Sequence, residues 1–411
     1  MVRGPVMGAC GNIGKPDDFA SGPGPRGGEA GRARCAAPQW YDVTWNPTAG
    51  CSTAGPGCEH CQARRTVSQL ARMGGKSGAR YSGLTLIGRT GLEWTGEIRV
   101  RTELMAWPLL QHRPRRILVD SMSDLFHERL ATETIDTLHA VMTVAHWHQF
   151  LLLTRRADRM RRYYADPRTP RRIALEIGNL AATVLPTLGR GLKSGGGEGI
   201  APPVAARARR SGVRQRWAAG LERVVYRAGD TDEAAPPPVG LNPWPLPNLW
   251  PGVSVEDQER IGRIGDLMQM PAVLRWACFE PLLGPVSPDA VPVDEHYVDA
   301  FGGGRSRLDN LGRMAPIAEP AWRPLDWVVA GGEVGAGARP TRSDWVRGLR
   351  DRCVAAGVPF FFKGWGEWGP EPDASGERMV RVGRRGAGRL VDGRCWDETP
   401  AALSSGRTRS P

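Results

Sequence analysis

Cys51, Cys58 and Cys61 lie together in WNPTAGCSTAGPGCEHCQARR, spaced C-x6-C-x2-C, on a loop broken by Pro47, Gly50, Gly55, Pro56 and Gly57. Thiolates so close in sequence can converge on one metal centre. The positive partial charge at the start of the helical pattern that follows favours anionic sulfur there. Three ligands is the informative number. A closed structural zinc site takes four, whereas a [4Fe–4S] cluster held by three cysteines leaves one iron free for an outside ligand. The sequence therefore predicts a [4Fe–4S] cluster on Cys51, Cys58 and Cys61. Two alternatives stay open: a zinc site completed by His60 or the distant His127, and a glycine-rich loop whose cysteines hold no metal. The other cysteines, Cys10, Cys35, Cys278, Cys353 and Cys395, are scattered, and eight in 411 residues are too few for a disulfide scaffold.

A second set of polar residues recurs where apolar runs end. Ser121, Ser123 and Asp124 follow RILVD, Thr154 and Arg155 follow FLLL, and Ser254 and Glu256 close WPGVSVE. Glu280 closes RWACFE, Glu333 follows VVAGG, and Lys363 ends PFFF. Any one of these is equally well a helix cap or a surface charge. Their recurrence points to a pocket at one end of a sheet. Carboxylates, hydroxyls and a lysine would line such a pocket, and Gly252, Gly331, Gly332 and Gly364 let a ligand approach the backbone. Asp124, His127 and Lys363 are the candidates for catalysis. Ser121, Ser254, Glu256, Glu280, Gly331, Gly332 and Glu333 are the candidates for cofactor binding. His139, His146 and His148 lie on or after a helix and read as structural. Trp276 and Trp327 read as core, and Trp365 and Trp368 as packing or as stacking platforms. No Walker A loop, HExxH or GxSxG is present.

The scaffold for these residues is legible as alternation. An alternating stretch rich in β-formers at 39–45, a weak run at 98–101, and apolar runs at 116–121, 150–154, 249–255, 273–280, 325–331 and 359–363 are separated by helical stretches, giving six secure strands and two doubtful ones. One helix runs from about Thr132 to Trp147 and another begins near Ala157. A third has Ser343 as N-cap, Val346, Leu349 and Cys353 on one face, and Gly357 as C-cap. Strands apolar throughout argue for a parallel sheet covered on both sides. The fold expected is a partial or complete (β/α) TIM-type barrel, with every strand-to-helix loop on one face. A doubly wound open sheet is the alternative. Residues 1–37 read as a disordered tail, 38–166 and 248–370 as the two parts of the barrel, and 167–247 as an Arg-, Gly- and Pro-rich insertion. Residues 371–411 read as a loosely ordered extension.

The formal charge of +12 suits an anionic partner, nucleic acid above all. Only four lysines occur, so the charge is almost all arginine, and a GC-rich genome accounts for that equally well. The arginines crowd at 155–172 and again at 207–216. No apolar run is long enough to span a membrane and the N-terminus lacks an apolar signal core, so a cytoplasmic location is expected, with no membrane partner.

TWNPTAGCSTAGPGCEHC, ILVDSMSDLFH, LLLTRR, LPNLWPGVSVEDQ, CFEPLLGPV, LDWVVAGGEVGAGARP and PFFFKGWGEW follow one another in that order. Together they resemble the phage-associated three-Cys-motif family, a family of unknown function, over about 39–154 and 249–369. That family is itself similar to radical SAM enzymes. The resemblance implies a radical-SAM-like barrel, an iron–sulfur cluster, S-adenosylmethionine, and a three-Cys-motif partner protein. The chain departs from the usual radical SAM pattern in three ways. Its first spacer is six residues rather than three, His60 precedes the third cysteine and Gln62 follows it, and Gly331-Gly332-Glu333 follows a late strand rather than the second. Two functions fit: a radical-SAM-like enzyme on an unidentified substrate, or a catalytically inactive, metal-stabilised nucleic-acid-binding or accessory protein.

Overall fold

Seven short strands form one sheet in chain order: β1 (Val43–Trp45), β2 (Arg116–Val119), β3 (Gln149–Thr154), β4 (Leu249–Ser254), β5 (Trp276–Phe279), β6 (Trp327–Ala330) and β7 (Phe360–Phe362). This computed structural model describes Cys35 and residues 39–89, 91–190, 216–217, 221, 224–226, 239–309, 312–318, 322–374 and 376–401. Every neighbouring pair in the sheet is parallel, and the sheet curls into a half-barrel edged by β1 and β7. When strand order equals chain order, right-handed crossovers put all the connecting helices on one face. α1 (Gln62–Arg72) buries Val67 with Ala49 and Leu84 in a separate small core, whereas α2 (Thr132–Val144), α3 (Ala157–Ala165), α4 (Thr169–Arg190), α5 (Gly262–Met268) and α6 (Ser343–Ala356) pack in the main core. Between β5 and β6 the connection is instead a four-stranded antiparallel sheet within 291–316.

That topology excludes the doubly wound alternative and corrects the expectation of helices on both sides. Ile117, Val119, Phe150, Leu152, Val253, Ala277, Phe279, Val328, Phe360 and Phe362 alternate onto the helix-covered face, where they meet Ile135, Leu138, Met160, Ile264, Val346, Leu349 and Cys353. The intervening residues, Leu118, Leu151, Trp250, Trp276, Cys278, Trp327, Val329 and Phe361, pack with Trp40 on the other face. Indoles rather than helices fill that side. Trp276 lies 5.5 Å from both Trp40 and Trp327, ring to ring, and its Nε1 donates to the Trp250 carbonyl at 3.0 Å. A side chain at Gly252 would put its Cβ 2.3 Å from the Trp276 ring, so glycine is what lets the indole lie across β4.

Three segments differ from expectation. Of the weak run at 98–101 only Arg99–Val100 is extended, and it pairs with Thr48–Ala49 outside the main sheet. The stretch expected to begin an insertion opens with α4, whose Ile173, Ala174, Ile177 and Leu180 are buried in the main core. Their i, i+1, i+4, i+7 spacing is that of a core-facing helix. Near the C-terminus, Val391 and Trp396 are buried and Asp397 bridges to Phe361, so 389–398 packs along the β7 edge. A disulfide joins Cys395 to Cys35. The glycine run at 194–199, the arginines at 207–214 and residues 1–34 lie outside the described residues. Gly357 ends α6 in the left-handed region at φ 68°, as its position predicts, whereas Ser343 is the first helical residue and donates to Glu377 at 2.5 Å. No described helix is long and apolar enough to cross a membrane.

Candidate functional site

The cysteine loop lies across the carboxyl ends of the strands, where residues 50–59 are fixed by side chains from four different connections. Ser123 Oγ donates to the Gly50 carbonyl at 2.7 Å. Arg156 donates to Ser52 Oγ at 2.7 Å and to its carbonyl at 3.3 Å. Arg263 of α5 donates to the Ala54 carbonyl at 2.9 Å. Arg339 donates to the Pro56 carbonyl at 2.8 Å and to the Glu59 carboxylate at 2.5 Å.

Each of these arginines is held in turn by a carboxylate at a strand end. Asp124 accepts from Arg156 at 3.0 Å, Glu256 accepts from Arg263 at 2.8 Å and from Arg155 at 2.5 Å, and Glu333 takes Arg339 in a two-pronged pair at 2.7 and 2.9 Å. Glu256 has no exposed surface. Gly57 rests directly on it, since a Cβ there would stand 2.7 Å from its Cγ. Charge-assisted bonds of this kind are about twice as strong as neutral ones. The recurring carboxylates therefore act, in this arrangement, as anchors for the guanidiniums that clamp the loop.

The three cysteines share this setting. Cys58 closes a tight turn (Pro56–Cys58) and Cys61 immediately precedes α1. Ala54 N–H points at Cys58 Sγ at 3.5 Å, and Arg156 Nη1 stands 3.7 Å from Cys51 Sγ. Burial pushes the Cys51 thiol up to about 12. Asp124 adds to that rise, Arg156 opposes it, and Cys58 and Cys61 contribute smaller upward pushes. The thiols thus lie within one another's field. Among the described residues, however, no three His, Cys, Asp or Glu side chains are gathered closely enough to hold one metal ion. Three thiols therefore share one clamped loop without meeting at a single point.

The remaining candidates sort by position. Asp124 is buried and its oxygens are fully engaged, accepting also from Thr154 Oγ1 at 2.6 Å, Phe126 N–H at 3.0 Å and Arg155 N–H at 3.1 Å. His127 is buried. Its Nδ1 accepts from Arg129 N–H at 3.2 Å, which places the ring proton on Nε2, 2.8 Å from Ser52 Oγ. Burial, then Arg156, lower its proton affinity, so the ring is neutral. The His60 ring packs on Gly337, where a Cβ would stand 2.7 Å from its Cε1. Lys363 pairs with Glu280 and lies over the Trp40 ring, 4.8 Å from its centre. Cys278 sits beneath this pair, its thiol pushed up to about 12 chiefly by burial and then by Glu280. A Cβ at Gly331 would come 3.2 Å from Glu280 Oε1, and one at Gly332 only 2.0 Å from the Trp365 carbonyl oxygen. The Ser254 side chain is buried and its carbonyl accepts from Arg263 at 2.7 Å. Ser121 is exposed and donates to Asn46 at 3.0 Å, apart from the rest.

A family model described as protein of unknown function (DUF5131) matches residues 36–400. The chain belongs to this DUF5131 family. The description names neither a phage origin nor a three-cysteine motif. No curated protein and no solved structure matches the chain.

For this DUF5131 member, sequence reasoning missed the clamps Arg156, Arg263 and Arg339. Two of them stand inside the quoted motifs LLLTRR and GARP, but an arginine beside a strand end reads as surface charge until its carboxylate is placed. Asp120 was also missed. It is buried at the end of β2 in the left-handed region at φ 54°, and its Oδ1 accepts from Thr48 N–H at 3.1 Å. Burial pushes its carboxyl up to about 7.

Proposed function

We propose that this DUF5131 protein holds a [4Fe–4S] cluster on Cys51, Cys58 and Cys61 and works as a radical-SAM-like enzyme on an as yet unidentified substrate. The single observation that carries this reading is the placement of the three-cysteine loop over the carboxyl ends of a half-barrel of parallel strands, clamped by Arg156, Arg263 and Arg339. Ligand sites of such folds lie at that end. A cluster on three cysteines supplies low-potential electrons and one iron open to an outside ligand. The chain's own part is electrostatic and steric. Arg155 and Arg156 offset thiolate charge, the indole-packed lumen keeps water from the floor, and the partly exposed Glu280 and Lys363 offer an anion to the amino end and a cation to the carboxylate end of S-adenosylmethionine. A cytoplasmic setting goes with this reading, since a reducing compartment keeps the loop thiols available. A three-Cys-motif partner protein is part of the same proposal.

One observation favours a second reading. Glu256, Glu280 and Glu333 are each already paired with a cation of the chain, which is what a purely structural cluster in an inactive accessory protein would require. The test is formation of 5′-deoxyadenosine when reduced, iron-loaded protein is mixed with S-adenosylmethionine. Turnover above that of a Cys58→Ala variant supports the enzyme, and iron-loaded protein that gives none supports the structural reading.

A further inference from the structure

We propose that the groove between α2, α3 and α4 binds the phosphodiester backbone of a nucleic-acid strand. The groove has a volume of ≈ 640 Å³ and is lined by five arginines, Arg159, Arg162, Arg168, Arg171 and Arg172, with Asp166 the single carboxylate in its wall. Ile135, Tyr163 and the half-exposed Leu175 supply apolar lining. Two further carboxylates stand behind the lining, so the pairings decide what is left for a ligand. Arg162 pairs with Asp158 at 2.8 Å, Arg168 with Asp166 at 3.0 Å, and Arg172 with Asp136 and Asp166 at 2.9 and 2.8 Å. Arg159 donates to the carbonyls of His127 and Leu130 and touches no carboxylate. Arg171, exposed on α4, makes no hydrogen bond or ion pair among the described residues. The Arg162 and Arg168 guanidiniums are solvent-exposed, and water weakens their pairs, so both can turn to a stronger anion. Guanidinium binds phosphate through two parallel hydrogen bonds, which makes arginine the side chain suited to this role.

A polymer fits better than a small polyphosphate for two reasons. The groove is open to solvent rather than enclosed, so a strand can pass along it. Its Arg159 wall also adjoins the cysteine loop, because His127, whose carbonyl Arg159 holds, contacts Ser52. A strand lying in the groove therefore reaches toward the mouth of the half-barrel. The excess of +12 across the chain draws such a ligand in. The proposal stands with either reading of the cysteine site, because it uses none of the cysteines.

The test is binding of the full-length protein to a labelled 20-nucleotide single strand, DNA and RNA, across a salt series. Arg162→Gln, Arg168→Gln and Arg171→Gln are combined in one variant. The control carries Arg313→Gln, Arg342→Gln and Arg378→Gln, which removes the same charge from exposed positions elsewhere. The groove variant should bind at least about tenfold more weakly and lose about 2 from the slope of log affinity against log salt. The control should change less than about twofold. Equal loss in both variants, or no binding by the unaltered protein at low salt, would overturn the proposal. So would inorganic tripolyphosphate displacing the strand at equal concentration of phosphate, which would mark a small-polyphosphate site. Should the triple variant fold poorly, Arg171→Glu alone serves, since Arg171 supports no other residue.

Discussion

Glu256→Gln isolates the contact on which the cysteine loop most depends. The side chain has no exposed surface and stands between two guanidiniums, Arg155 at 2.5 Å and Arg263 at 2.8 Å, the second of which also holds the Ala54 carbonyl. An amide keeps the shape but removes the anion, leaving two cations facing each other across a neutral group. Removing one partner of a buried pair costs about 3–5 kcal/mol. Water still reaches part of Arg155 and Arg263, which are 25% and 13% exposed, so the lower end applies, about 3 kcal/mol. For a chain of this size that corresponds to a fall of roughly 3–4 °C in melting temperature. The assay is thermal and urea unfolding of reduced, metal-free protein followed by circular dichroism, with trypsin cleavage after Arg64 and Arg65 as a local readout. The variant should melt earlier and be cut faster there. A loss below about 1 kcal/mol, with unchanged cleavage, would mean that the pair is worth no more than a surface ion pair and does not hold the loop.

Two further outcomes follow from buried groups. Asp120 is held up to about 7 by burial, so the folded state keeps its proton more tightly than the unfolded chain does, and the stability this gives is present below about pH 4 and lost as pH rises through 7. Asp120→Asn should match the parent near pH 3.5 and exceed it at pH 8 by up to about 4 kcal/mol; a difference that does not vary with pH would contradict this. Gly252→Ala places a methyl group 2.3 Å from the Trp276 ring inside a filled lumen, and should cost about 1–3 kcal/mol with a changed near-ultraviolet tryptophan signal. An unaltered spectrum and melting temperature would show that the indole does not lie across β4.

The sheet was legible because its strands are apolar on both faces and separated by helical stretches, as buried parallel strands are. The same property hid which face meets the helices, since the alternation between Phe, Val and Ala on one side and Trp, Leu and Cys on the other is invisible when every residue is apolar. α4 was overlooked because Gly178 and Asn179 interrupt its pattern and its neighbours are rich in glycine and arginine. The C-terminal packing rests on isolated residues, Val391 and Trp396, with no periodicity to betray it. At the site, the strand-end carboxylates were readable from local sequence. Their work as anchors was not, because it depends on contacts such as Arg155 to Glu256, 101 residues apart, that only the folded topology creates.

The central claim is that Cys51, Cys58 and Cys61 together hold an iron–sulfur cluster, and iron and acid-labile sulfide analysis of anaerobically purified protein tests it most directly. The account predicts about four irons and four sulfides per chain, with broad absorption near about 400 nm. Alanine at any one of the three cysteines should remove most of that iron, while alanine at Cys278 or Cys353 should leave it. Stoichiometric zinc without sulfide, or iron content unaffected by the three substitutions, would contradict it.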